Sequence, residues 1–298
     1  MKSSYLLRLH FIVFLWGFTA ILGKLITVDA TILVFYRMMF AFSILFIYIR
    51  YIKKERLLVK KANLWKLMVI GAFMGFHWLF FFHSVKVSNV SIALCCLSLS
   101  TLFAAILEPI IFKRKIDISE IIMGIVMVAS IMLIFNAEFH YKEGIIYGIL
   151  CALCGTVFSV FNGKMSGKEA AGSIIFYEIF FGWLLVSLYY CISGDILHVG
   201  EISNSNLALI LLLAAVFTAY PMFESVKLMK YISPFTLILT VNLEPVYGII
   251  LAFFIFGGSE HMSPIFYIAS LVMIGSIVVN GILKSRKKAT AQNKLVDE

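Results

Sequence analysis

Ionisable residues stand isolated inside long apolar stretches of this sequence, and a charge in that setting needs a reason. Glu244 sits near the middle of the apolar run 233–256, and Arg37 lies in the run 31–50. A charge at the centre of a membrane span costs roughly 2.5–3.5 kcal/mol on insertion scales, so it faces a cavity or a partner. On a helix Glu244 shares a face with Thr236 and Thr240 before it and Tyr247 after it. That polar stripe fits a solute or proton path; a polar contact between packed helices is the alternative. Pro245 removes a backbone donor at the same place. Arg37 offers a planar fork of donors suited to a carboxylate, against the alternatives of a structural ion pair or a side chain reaching for the interface. His77, followed by Trp78, is central in the run 65–85. A histidine can carry a proton near neutral pH; a packing histidine with satisfied nitrogens is the competing role. The candidate substrate-binding set is Trp16, Arg37, His77, Trp78, Thr240, Glu244 and Tyr247. The candidates for proton coupling are Glu244, His77 and Glu178.

Other motifs carry less. Cys151-x-x-Cys154 has redox or metal spacing. No second Cys/His pair accompanies it, so small packing residues are the simpler reading. All five cysteines lie in apolar runs, which gives no disulfide framework. No metal and no cofactor are expected. Glu108 is placed to reach towards Lys113 or Arg114, His83 and Glu224 fall near helix ends, and Gly71-x-x-x-Gly75 is a helix-packing pattern.

The elements that hold these residues follow from composition. Of 298 residues, 62% are hydrophobic and 14% charged, against about 45–50% and about 25% in soluble domains. That excludes a soluble enzyme, a nucleic-acid-binding domain and a disordered chain. Apolar runs cover 6–26, 31–50, 65–85, 90–112, 118–136, 144–163, 171–192, 206–226, 233–256 and 263–283. Each can span a bilayer as a helix, and helices are required because lipid cannot satisfy backbone polar groups. The first run is longer than the roughly 7–15 apolar residues of a signal peptide, so it reads as the first span. The expected fold is an all-α polytopic membrane protein of ten transmembrane helices.

Net charge is +9, but the basic residues sit between apolar runs, so no nucleic-acid partner is expected. They gather in alternate connections: Lys2 and Arg8; Arg50 to Lys66; Lys113-Arg114-Lys115; Lys164 and Lys168; Lys227 and Lys230; and the tail from Lys284. The other connections keep Lys24, Lys86 and Lys142, with the acids Asp29, Glu138, Glu143, Asp195, Glu201 and Glu260. The Lys/Arg bias places both termini in the cytoplasm.

The halves match at an offset of about 140 residues, a periodicity that marks a repeat. Phe35-Tyr36-Arg37 aligns with Phe176-Tyr177-Glu178, Ser84-Val85-Lys86 with Ser225-Val226-Lys227, and Gly23-Lys24 with Gly163-Lys164. Leu107-Glu108-Pro109 and Leu243-Glu244-Pro245 fall off this diagonal, and their likeness reads as coincidence. Five spans per half is odd, so the second half enters from the opposite side. The units are 1–137, 138–284 and a basic tail, 285–298. Inverted repeats with a central site are the architecture of alternating-access transporters.

This pattern resembles the EamA-like family of the drug/metabolite transporter superfamily. The matching residues are Trp16-Gly17, Arg37, Ala93 and Leu243-Glu244-Pro245-Val246; Leu99-Ser100-Thr101 stands where the family tends to carry a proline. The resemblance implies export of a small metabolite, often an amino acid or a toxic compound, driven by protons or by the solute gradient. The expected setting is the cell's cytoplasmic (inner) membrane, with a small solute, the lipid bilayer and protons as partners. The oligomeric state is not fixed, and a monomer is compatible with the sequence. The alternative, a membrane-embedded enzyme acting on lipid or a lipid-linked substrate, would want a catalytic cluster at one interface. The basic loop 51–64 offers no such set. A scaffold or sensor would leave the repeat unexplained.

Overall fold

A computed structural model of the chain describes residues 2–193, 202–241, 243–276 and 278–279. The helices are α1 (Lys2–Leu25), α2 (Ala30–Ile47), α3 (Lys61–Val87), α4 (Val90–Leu97), α5 (Ser100–Phe112), α6 (Ile118–Ala137) and α7 (Lys142–Met165). They continue with α8 (Ala171–Ser193), α9 (Asn204–Ala214), α10 (Tyr220–Leu228), α11 (Pro234–Val241), α12 (Glu244–Phe256) and α13 (Pro264–Ser276). No strand occurs among the described residues. Nine helical stretches there are long and apolar enough to cross a membrane. The tenth expected span is represented by the shorter apolar helix α13. The expected tail 285–298, Asp195 and Glu201 lie outside the described residues.

The spans expected as single helices at 90–112 and 233–256 are each broken. Between α4 and α5 the ladder tightens to i→i−3 bonds: Ser98 to Cys95, Leu99 to Cys96 and Thr101 to Ser98. Ser98, Ser100 and Thr101 carry hydroxyls that compete for backbone groups; Thr156 Oγ1 donates to the Ser100 carbonyl at 3.1 Å. Between α11 and α12 Leu243 bonds back to Thr240 in the same i→i−3 way. Pro245 has no N–H for the Val241 carbonyl, so it sits in the first turn of a new helix, where that donor is not needed. The new helices start at Ser100 and Glu244, a separation that falls on the repeat diagonal. A third irregularity joins α9 to α10, a π-helical turn at Ala215–Ala219. Pro221 follows it, and a proline inside a helix displaces the preceding turn.

Packing is closest where side chains vanish. Gly71 and Gly75 of α3 lie against α8, with a Cβ on Gly71 running into the Glu178 carbonyl and one on Gly75 coming within 3.3 Å of the Gly182 carbonyl. Small residues let spans approach this way where lipid supplies no hydrophobic drive. The perimeter exposes Phe11, Ile110, Ile122, Ile125, Leu188, Phe254 and Leu271, an apolar belt expected of a lipid-facing surface.

The helix ends sort into two sets. At one end Lys24 meets Glu260 and Asn206 meets Thr27. Lys86 there donates to the Ile26 carbonyl. At the other end Tyr5 stacks on Tyr231, Glu169 accepts from Asn63 and the Lys60 amide, and Arg114 pairs with Glu120. Among the described residues, the basic connections therefore gather at one end of the bundle.

Candidate functional site

The two helix breaks border one cavity of about 90 Å³, and the π turn reaches it only through Thr218, which holds the lining residue Arg37. Its wall takes Trp16 and Thr19 from α1, Arg37 from α2, and His77, Trp78 and Phe81 from α3. Leu97 and Ser100 come from the first break, and Gly155, Phe158, Ser159 and Asn162 from α7. Met222, Ser225, Met229, Leu237, Ile238, Val241 and Glu244 complete it. The space is well above the roughly 10–15 Å³ that a single water needs.

Arg37 is 2% exposed. Its Nε donates to Thr218 Oγ1 at 2.7 Å, and its guanidinium lies 4.2 Å from the Trp78 ring centroid and 5.3 Å from that of Phe82. The π turn holds Thr218, whose hydroxyl donates to the Leu213 carbonyl at 2.8 Å. Arg37 Nη1 has no hydrogen-bond partner among the described residues. A buried, unsatisfied cationic donor is costly and asks for an explanation. The Glu244 carboxyl, on a residue 6% exposed, makes no hydrogen bond or ion pair with any described residue. The two groups are near enough to interact electrostatically, yet no salt bridge joins them among the described residues.

His77 Nδ1 lies 2.9 Å from the Cys151 carbonyl and 3.2 Å from its sulfur. The carbonyl can only accept, which assigns a proton to Nδ1 and leaves Nε2 as an acceptor in the neutral ring. The ring fits because residue 155 is glycine: a Cβ there would sit 2.7 Å from Nδ1. Cys151 thus packs beside His77. No cluster of three or more His, Cys, Asp or Glu side chains suited to a metal occurs among the described residues.

Trp16, Arg37, His77, Trp78 and Glu244 therefore meet on one wall. Thr240 and Tyr247 are not part of that wall: the Thr240 hydroxyl donates to the Thr236 carbonyl at 2.9 Å, and Tyr247 lies against Gly17 and Phe14. The break before Glu244 interrupts the helical face the four residues would share. Glu178 is fully buried behind the wall, accepting from Asn162 Nδ2 at 3.0 Å, with its Oε1 and Asn162 Oδ1 unpartnered among the described residues. It does not pair with Arg37. Glu108 pairs with Arg114 at 3.4 Å, and Glu224 with Lys227 at 3.0 Å.

Sequence reasoning overlooked Ser100, Asn162, Thr218 and Ser225. The diagonal carries a signal for several of them: Ser100 falls opposite Glu244, Thr218 opposite His77, and Ser225 opposite Ser84.

The model of the EamA-like transporter family matches this chain twice, over residues 4–136 and 142–282. Comparison with curated proteins gave no match. Among solved structures 27 chains match. One, described as "Crystal structure of protein", aligns with a TM-score of 0.68 at 16% identity, covering 95% of this chain and 99% of its own. At that identity the likeness establishes a shared fold.

Proposed function

The chain belongs to the EamA-like transporter family of the drug/metabolite transporters, as a multi-pass membrane protein, and we propose that it exports a small zwitterionic metabolite in exchange for protons. The observation that carries this reading is the pair of unfilled poles on one cavity wall, Arg37 Nη1 and the Glu244 carboxyl. An α-carboxylate would take the guanidinium fork, and an α-ammonium would take Glu244. Trp16, Trp78, Phe81 and Phe158 supply apolar walls for a side chain. An amino acid or a close relative has this combination.

Glu244 can hold the substrate's ammonium or a proton, and not both together. Each outward passage of substrate is thereby tied to a proton moving inward. The halves 1–137 and 138–284 act as inverted repeats, and their broken helices at Ser100 and Glu244 frame the site. The end bearing the basic loops faces the cytoplasm, in the cell's inner membrane.

The test is uptake of labelled amino acids into proteoliposomes, with competition by analogues. Zwitterions should compete, while analogues lacking either the carboxylate or the ammonium should compete about tenfold less or worse, since each loses a charge-assisted contact. Equal competition by an amine without a carboxylate would overturn the reading.

A further inference from the structure

We propose that Glu260 is the latch of the outer gate: one carboxylate ties together the outer ends of the first, fourth and ninth spans and must let go each time the cavity opens outward. The proposal rests on the alternating-access reading above, and on contacts remote from the substrate cavity.

Glu260 ends the short turn Gly257–Glu260 after α12 and is 1% exposed. Its Oε2 accepts from the Ser91 amide at 3.0 Å and the Ser91 hydroxyl at 2.8 Å. Its Oε1 accepts from the Val90 amide at 3.1 Å and from Lys24 Nζ at 2.7 Å. The first amides of a helix lack partners within it. Glu260 takes two such amides of α4, and the Asn89 side chain takes a third from Ile92. A carboxylate at that end also complements the helix dipole. Lys24 closes α1 and rests on the Phe256 ring at 4.5 Å.

The spans joined this way carry Trp16, Ser100 and Glu244 to the cavity. Their outer ends cannot part while the carboxylate bridges them. The opposite end is built differently. There α11, the counterpart of α4, has the Thr236 amide served by its own Ser233 hydroxyl at 3.2 Å. The connection corresponding to the Glu260 turn carries Lys113-Arg114-Lys115, and Arg114 pairs with Glu108 and Glu120 of the same half. Inverted repeats exchange conformations when access alternates. The opposite end has its own contact between the halves, Glu169 with Asn63 and the Lys60 amide, but it is more exposed and uses one carboxylate oxygen. Glu260 is buried, uses both oxygens and adds the Lys24 ion pair. The stronger tie makes the two closed states unequal and favours the state shut at the Glu260 end.

The test is labelling of Thr19→Cys, on the cavity wall, in a chain whose five native cysteines are replaced. A membrane-impermeant maleimide is applied from outside. Labelling should be slow with Glu260 present and about tenfold faster or more in Glu260→Gln, because a buried charge-assisted network is lost. Lys24→Gln, which keeps the helix cap, should accelerate it less. Unchanged or slower labelling in folded Glu260→Gln would overturn the latch, as would fast labelling with Glu260 intact. Should Glu260→Gln fail to fold, unchanged labelling in Lys24→Gln overturns it equally. No substrate enters this assay, so failure of the zwitterion reading leaves its outcome intact.

Discussion

Arg37 and Glu244 share the wall of one cavity, carry opposite formal charges, and form no ion pair with each other. Two such groups in contact would satisfy each other and leave nothing for a solute. In the proposed function, each group, held apart, keeps its binding capacity for a solute that enters between them. The guanidinium is fixed on its other sides by Thr218 and the Trp78 ring, so its free nitrogen is an oriented donor.

Arg37→Lys keeps the charge but loses the fork and the stacking on Trp78. It should weaken apparent substrate affinity about ten- to hundredfold, read as a higher half-saturation concentration in proteoliposome exchange. Unchanged half-saturation in folded protein would remove Arg37 from the site.

Thr218→Val keeps the shape and removes the acceptor for Arg37 Nε. A buried donor left unmade costs about 1–3 kcal/mol, so thermal stability in detergent should fall and half-saturation should rise. Thr218→Ser, which restores the hydroxyl, should recover both.

Gly71→Ala drives a Cβ into the Glu178 carbonyl on α8. Overpacking of this kind costs about 1–3 kcal/mol, visible as a lower unfolding temperature. Gly167→Ala meets nothing within 4 Å and should stay within about 0.5 kcal/mol of the parent protein.

Orientation is open to direct labelling. Lys60 and Asp29 are both exposed, near opposite ends of the bundle. In intact cells Asp29→Cys should react with an impermeant reagent and Lys60→Cys only after the membrane is opened. The reverse pattern would invert the direction of transport argued above.

Much of this was legible in the sequence because lipid permits few solutions. The apolar runs mark the spans, and an isolated charge such as Arg37 or Glu244 must face inward. What stayed hidden depends on how the backbone departs from a straight helix. Four residues spaced along 236–247 make a stripe only if the helix is continuous, and the break at Leu243 sends Tyr247 towards α1. Pro245 signals a kink, but not that Glu244 opens a new helix. Glu260 reads as an outer-loop acid placed, after Gly257-Gly258-Ser259, where the EamA-like family tends to carry one after a span, but nothing in its local sequence shows that the turn at Gly257 folds it back onto α4. Thr218 is one hydroxyl on an apolar helix, and only the π turn before Pro221 aims it at Arg37.

Glu244→Gln in proteoliposomes tests the central claim most directly. The amide keeps the shape of the carboxyl but can neither ionise nor carry a proton. The account predicts that an imposed pH gradient no longer drives accumulation of substrate, while exchange of substrate for substrate persists at reduced affinity in folded protein. If Glu244→Gln still concentrates substrate against its gradient in response to the pH difference, Glu244 is not the coupling group.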